Sequence, residues 1–270
     1  MKDALARTYR MLVTDIDGTL VDHQQQISKE NMEKIRAFQE QGGIVTIATG
    51  RMEKAAFRFV SDLGIKHPVI LYNGAKIVDF ERNVCALELL LPTAIVEQAL
   101  ELMKQQSLNM IFYAEGKLWV SQMNPTIETY MKKDGVVCQV WENEAFLLKT
   151  SITKVLIIAE DKNFHVVYDR LANNPNCELV NSEETYLEIL PPRASKGAAL
   201  KLLAAQLGIP IEEVIAIGDH LNDLDMLVEA GLGVAVENAH PELKKVAGYI
   251  APSHLEHAIA DVIDKYCLSR

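Results

Sequence analysis

Short apolar runs alternate with helix-period segments over roughly the first eighty residues. Residues 10–14, 44–48 and 69–72 read as strands, the first continuously apolar and the last bounded by Pro68. Residues 28–41 read as a helix with Ser28 as N-cap, Met32, Ile35 and Phe38 on one face, and Gly42-Gly43 as its stop. Residues 53–63 read as a second helix closed by Gly64. This βαβαβ order implies a parallel sheet with helices on its faces. The same grammar returns near the end of the chain. Residues 196–207, 222–230 and 254–266 read as helices, and 214–217, 233–236 and 246–250 as strands. The expected fold is therefore α/β, with a doubly wound, mostly parallel sheet.

The middle of the chain follows another order. Residues 93–106, 108–113 and 117–121 read as helix, strand, strand, with a turn at Glu115-Gly116. Residues 163–172, 177–180 and 186–190 repeat that order weakly. A short helix after Pro125 and strands near 136–141 and 153–158 lie between. Hairpin-joined strands predict an antiparallel sheet with helices on one side. These features divide the chain into a core of residues 1–83 and 189–270 and an inserted α+β unit of residues 84–188, with Pro191-Pro192 marking the return.

Composition narrows the function classes. The 270 residues carry a formal net charge of −10, which argues against nucleic acid as a main partner. An acidic surface still accommodates a local basic pocket for an anionic substrate. Lys2, Arg7 and Arg10 precede an apolar stretch that Asp15 and Asp17 cut too short for a signal peptide. No run of about twenty apolar residues predicts a membrane span. Cys85, Cys138, Cys177 and Cys267 are far apart, form no CxxC pair and read as reduced thiols of a cytoplasmic protein. A monomer or small homo-oligomer is expected.

In an open parallel sheet, ligands bind off the carboxyl ends of the strands. The first strand ends in Asp15-Ile16-Asp17-Gly18-Thr19, the second in Thr49-Gly50-Arg51, and a later one in Gly218-Asp219-His220-Leu221-Asn222-Asp223. Lys196 opens the helix before that later strand. Carboxylates roughly 4 Å apart repel by about 1–4 kcal/mol per pair. Asp15, Asp17, Asp219 and Asp223 therefore need cations to share a crevice. Lys196 supplies one positive charge, and hard oxygen ligands without a His or Cys cluster point to Mg²⁺ for the rest. Thr49 and the Gly50 amide offer donors to phosphate oxygens. Together these groups predict phosphoryl transfer with an aspartate nucleophile.

These segments resemble the haloacid dehalogenase-like (HAD) superfamily, in particular its Cof-type phosphatases of subfamily IIB. DIDGT at 15–19, TGR at 49–51, SKG at 195–197 and GDHLND at 218–223 stand in the family's order, with YNGA at 72–75 as a further family-like segment. The insert lies between the second and third motifs, where that subfamily carries its α/β cap. The resemblance implies an HAD-like Rossmannoid core and a role for each matched residue. Asp15 would be nucleophile and Mg²⁺ ligand. Asp17 would be the general acid and base, with its carbonyl on Mg²⁺. Ile16, Thr49, Gly50, Lys196 and Asn222 would hold the phosphoryl group. Asp219 would bind Mg²⁺, with Asp223 as a further metal residue acting directly or through water. An acid at Asp17 calls for a raised pKa, which burial and neighbouring carboxylates can supply. Candidate substrate contacts are Arg51, Asn73, Gly74, Arg193 and His220.

The expected activity is Mg²⁺-dependent hydrolysis of a small phosphorylated metabolite, such as a sugar phosphate, through an aspartyl-phosphate. A phosphomutase would use the same chemistry, and a non-catalytic phospho-ligand sensor would need neither Asp15 nor Asp17. His254 and His257 read as surface residues, Trp119 and Trp141 as core packing, and the GxG at 231–233 as too short for a dinucleotide site.

Overall fold

The structure is a computed structural model and describes residues 9–268. Lys2 and Arg7 lie outside the described residues. The elements begin with β1 (Met11–Thr14), α1 (Lys29–Glu40), β2 (Ile44–Ile47), α2 (Glu53–Asp62), β3 (Val69–Leu71), β4 (Lys76–Asp79) and β5 (Val84–Glu88). They continue with α3 (Thr93–Gln106), β6 (Asn109–Ala114), β7 (Lys117–Val120), α4 (Pro125–Asp134), β8 (Cys138–Val140), β9 (Ile152–Ile158), α5 (His165–Leu171), β10 (Glu178–Glu183) and β11 (Tyr186–Leu190). The last are α6 (Lys196–Gln206), β12 (Val214–Gly218), α7 (Leu224–Glu229), β13 (Leu232–Val236), α8 (Pro241–Val246), β14 (Tyr249–Ala251) and α9 (Ala258–Tyr266).

The first sheet is parallel throughout, in the order β14-β13-β12-β1-β2. β1 and β12 are buried at every position, as strands covered on both faces must be. Local chemistry sets the helix starts. Ser28 Oγ accepts from the Asn31 amide at 3.2 Å, and Ser195 Oγ accepts from the Ala198 amide at 3.0 Å. A parallel bridge from Ala48 to Ile70 sets β3 beside the end of β2. β3 then pairs antiparallel with β4, and β4 with β5. Residues 84–88, expected at the start of the insert, thus join the β3 sheet. Their strand is largely exposed and lacks alternation, so no periodicity reveals its partner.

The remaining strands form a six-stranded sheet, β10-β11-β9-β6-β7-β8, antiparallel except for β7 and β8. Helices cover both faces, not one. Met110, Phe112 and Val155 face the cluster that holds residues of α3 and α5, whereas Ile111, Tyr113 and Leu156 face one shared with Ile127 and Tyr130 of α4. Trp119 and Trp141 pack against the first of these clusters, as expected.

Two further differences lie near the end of the chain. The strand expected at 246–250 is shorter and lies later: α8 ends at Val246 and β14 covers Tyr249–Ala251. The His240 Nδ1 accepts from the Glu242 amide at 3.2 Å, Pro241 starts the helix, and Lys244 and Lys245 sit in its last turn. The last helix begins at Ala258 because His257 adopts φ +62°. The buried Asn31 of α1 receives the Ala260 amide at 3.0 Å, fastening the start of α9 to α1.

Candidate active site

The carboxyl ends of β1, β2 and β12 carry the predicted site residues. The Asp15 amide donates to the Ile217 carbonyl at 2.9 Å, so β1 stays paired with β12 up to that residue. The chain then folds tightly, and the Ile16 carbonyl accepts from the amides of Leu20 at 3.0 Å and Val21 at 3.2 Å. Gly18 sits at φ +73°, and a Cβ there would lie 2.3 Å from the Asp219 carboxylate. Glycine therefore allows both the turn and the approach of Asp219. At the end of β2, the Thr49 amide donates to Ile70 O at 2.9 Å, and Thr49 Oγ1 accepts from the Arg51 amide at 3.2 Å.

Lys196 is the electrostatic centre. Its ammonium is fully buried and donates to Asp15 Oδ1 and Asp223 Oδ1, each at 2.6 Å. Asp223 Oδ2 accepts from the amides of Asp219 at 2.9 Å and His220 at 3.1 Å, so both its oxygens are committed. Asp219 accepts from Thr19 Oγ1 at 3.1 Å. Ligand oxygens of Asp15, Asp219 and Asp223 lie within 4.8 Å of one another. Burial, partly offset by Lys196, pushes Asp15 up to about 7. Burial and the charges of Asp15 and Asp223 push Asp219 up to about 9. One lysine thus leaves this oxygen-only cluster short of positive charge, and the donor set fits a hard divalent cation such as Mg²⁺.

Asp17 departs from expectation. Burial works to raise its pKa, but hydrogen bonds from Arg51 outweigh it and hold Asp17 below the usual carboxylate range. Arg51 grips it with two donors, Nε to Oδ2 at 2.7 Å and Nη2 to Oδ1 at 2.6 Å, and Gln25 Nε2 adds a third at 3.0 Å. The neighbouring carboxylates do not set this group's pKa, because a bidentate guanidinium stands closer.

The other predicted residues divide. Ile16 is buried in the β1 loop, and Gly50, Arg51, Asn222 and His220 line a cleft of about 960 Å³ that also borders Asp15, Asp17, Thr49 and Asp219. His220 Nδ1 lies 3.2 Å from Asn181 O on β10. Asn73 lies behind the cleft wall, bonded to Asn222 and Glu188. Gly74 is a packing position rather than a substrate contact, since a Cβ there would lie 2.0 Å from Ser195 O. Arg193 is exposed on a turn at φ +68°, and its amide donates to Glu178 at 3.3 Å, away from the cleft. His254, expected at the open surface, is partly buried in the cleft rim beside His23, with ring centroids 5.3 Å apart.

The six-stranded sheet supplies residues that the motifs do not announce. Lys154 on β9 donates to Gly50 O at 2.7 Å and to Glu188 on β11 at 2.9 Å, with both side chains almost wholly buried. Lys133, Asp134 and Glu183 line the cleft beyond Arg51. A signal for two of them was present: Lys154 and Glu188 are lone charges inside apolar strand runs, where an unpaired charge costs several kcal/mol.

Comparison with known proteins agrees with this geometry. A family model described as haloacid dehalogenase-like hydrolase matches residues 12–263. The chain is 30% identical over 259 residues to the 5-amino-6-(5-phospho-D-ribitylamino)uracil phosphatase YcsE of Bacillus subtilis (strain 168), covering 96% of each chain. It is likewise 30% identical over 280 residues to YwtE, a phosphatase of the same description from that organism, covering 95% of this chain and 97% of the relative. A crystal structure of a haloacid dehalogenase-like hydrolase from Bacteroides thetaiotaomicron superposes with a TM-score of 0.86 at 28% identity, over 96% of this chain and 99% of that one. With the motif residues gathered at one sheet edge and the family matched along nearly the whole chain, the protein belongs to the haloacid dehalogenase-like hydrolases and is a Cof-type phosphatase, an enzyme that cleaves phosphoric monoesters.

Proposed function

We propose that the enzyme hydrolyses small phosphorylated metabolites, sugar and sugar-alcohol phosphates among them, with Mg²⁺ and through an aspartyl-phosphate on Asp15. The observation that carries this reading is the convergence of Asp15, Asp219 and Asp223 around buried Lys196 at the carboxyl ends of β1 and β12. Lys196 holds Asp15 Oδ1, and Oδ2 attacks phosphorus as the ester P–O bond breaks. Asp17 gives its proton to the leaving oxygen. It then takes a proton from the water that attacks the phosphoenzyme, and Asp15 is released with inorganic phosphate. The guanidinium of Arg51 favours the carboxylate form of Asp17. The acid role therefore requires the incoming phosphoryl group to draw Arg51 away, and the base role suits the pair as it stands. Asp15 and Asp219 would supply oxygens to Mg²⁺, together with the Asp17 carbonyl, and Asp223 orients Asp219 through its amide. Bound there, the ion would balance carboxylate and phosphoryl charge and keep the transfer in line. Thr49, the amides of Ile16 and Gly50, Lys196 and Asn222 cradle the phosphoryl oxygens.

The stretch from the end of β5 to the end of β11 acts in this reading as a cap that covers the cleft and selects the leaving group. The relatives named for a phosphorylated ribitylamino uracil support including a polyol phosphate among the candidate substrates. Four unpaired cysteines among the described residues accord with a cytoplasmic enzyme. Phosphate release over a panel of sugar phosphates, polyol phosphates and 5-amino-6-(5-phospho-D-ribitylamino)uracil tests the reading. Asp15→Asn is expected to abolish release on every substrate with an unchanged circular dichroism spectrum. Turnover in that variant removes Asp15 as nucleophile.

A further inference from the structure

A line of buried side chains runs from the six-stranded sheet to the reaction face. Glu188 is 2% exposed, and its Oε1 accepts from Lys154 Nζ and Ser182 Oγ, each at 2.9 Å. Its Oε2 accepts from Asn73 Nδ2 at 2.8 Å. Asn73 is 1% exposed and accepts in turn, through Oδ1, from Asn222 Nδ2 at 3.0 Å. Chemistry fixes the direction of this line. An ionised carboxylate only accepts, so Asn73 must turn its NH₂ to Glu188. Its oxygen is then left for Asn222, which must answer with its own NH₂. The Asn222 oxygen ends buried and without a hydrogen-bond partner among the described residues.

The backbone is also held in place for this. Tyr72, Asn73 and Gly74 take φ values of +50°, +52° and +94° in succession, a conformation kept only where surroundings over-determine it. Lys154, the counter-ion of Glu188, bonds the Gly50 carbonyl at 2.7 Å. One ion pair on the six-stranded sheet therefore fixes both the Gly50 peptide and the Asn222 amide.

We infer that Glu188 and Asn73 are positioning residues, through which a carboxylate of the cap dictates which edge of the Asn222 amide meets the phosphoryl group. The inference rests on the phosphoryl site assigned under the proposed function. Seating the cap and ordering the core site thereby become one event: without Glu188 in place, the Asn73–Asn222 pair has no preferred sense.

The line can be reversed by design. With Glu188→Gln, the new amide would donate to Asn73, and Asn73 would then donate to position 222, where Asn222→Asp supplies an acceptor. Glu188→Gln alone leaves the buried Lys154 charge uncompensated and is expected to lower Tm by about 5–9 °C and kcat/KM for p-nitrophenyl phosphate about tenfold. Asn222→Asp alone is expected to lower Tm by setting two oxygens face to face. Adding Glu188→Gln to Asn222→Asp should then lower Tm by less than it does in the wild type. Both substitutions change charge, so the cycle is repeated with Asn73→Gly, which removes the relay and tolerates the positive φ. The coupling should vanish there. Additive Tm changes, or a coupling that survives in the Asn73→Gly background, would overturn the inference, as would an unaltered kcat/KM in Glu188→Gln. The Tm cycle needs no turnover, so it reads the relay separately from Asp15→Asn, which tests the phosphatase mechanism.

Discussion

Gly18 lies in the loop after β1, and the Asp219 carboxylate from the loop after β12 fills the space a side chain would take. Alanine there would meet two penalties. The left-handed backbone costs about 1–2 kcal/mol, and the methyl group would displace Asp219. Gly18→Ala is therefore expected to lower kcat about 100-fold, since misplacement by an ångström costs that much in rate. Wild-type kcat in this variant would show that Asp219 can move without loss. At this scale the site was legible wherever reactive residues end a strand. Asp15, Thr49 and Asp219 follow apolar runs, and sheet geometry alone gathers such ends. Gly74 and Arg193 were not legible as non-contacts, because spacing does not say which side of a turn faces the cleft. The Asp17 pKa was misjudged because its controlling partner, Arg51, lies 34 positions away.

Among elements, α2 shows how a helix start steadies a strained turn. Glu53, in its first turn, accepts from Tyr72 Oη at 2.5 Å and lies 2.8 Å from Lys76 Nζ. Burial works to raise the Glu53 pKa, but Lys76 and Tyr72 outweigh it and leave it below the ordinary glutamate value. A depressed pKa means that the folded state holds the proton less tightly than the unfolded chain. The stabilisation is thus present above the unfolded pKa of about 4.3 and is lost as pH falls through the lower folded value. Glu53→Gln should cost about 1 kcal/mol at neutral pH, and its deficit against wild type should shrink on acidification below about pH 4.3. Urea midpoints measured across that range check the sign. A constant deficit would mean that the carboxylate charge contributes nothing. The helices and strands of the two flanking segments were legible because their periods are strong. β5 was not, being exposed and irregular, and α8 was missed although Pro241 and its two terminal lysines announce it.

For the whole molecule, the decisive quantity is the charge of the acidic cluster. Three carboxylates share one lysine, so a bound divalent cation should stabilise the folded state by mass action. With Mg²⁺ at about 100 times its Kd, Tm is expected to rise about 5 °C over the value in EDTA, corresponding to roughly 2.7 kcal/mol. Asp219→Asn should erase the rise. An equal rise in that variant would place the ion elsewhere. The division of the chain was legible in outline, because hairpin grammar differs from βαβ grammar. The Lys154–Glu188 contacts to Gly50 and Asn73 were not, since no local pattern reports a meeting of residues over a hundred positions apart. Sheet order carries a consequence for synthesis. β1 lies between β2 and β12, and its register partner for Met11 is Val214. A chain growing from its amino end must hold one edge of this inner strand unpaired until some two hundred further residues have emerged. Closure of that edge, and with it the meeting of Asp15 with Lys196, is then the late and slow event of folding.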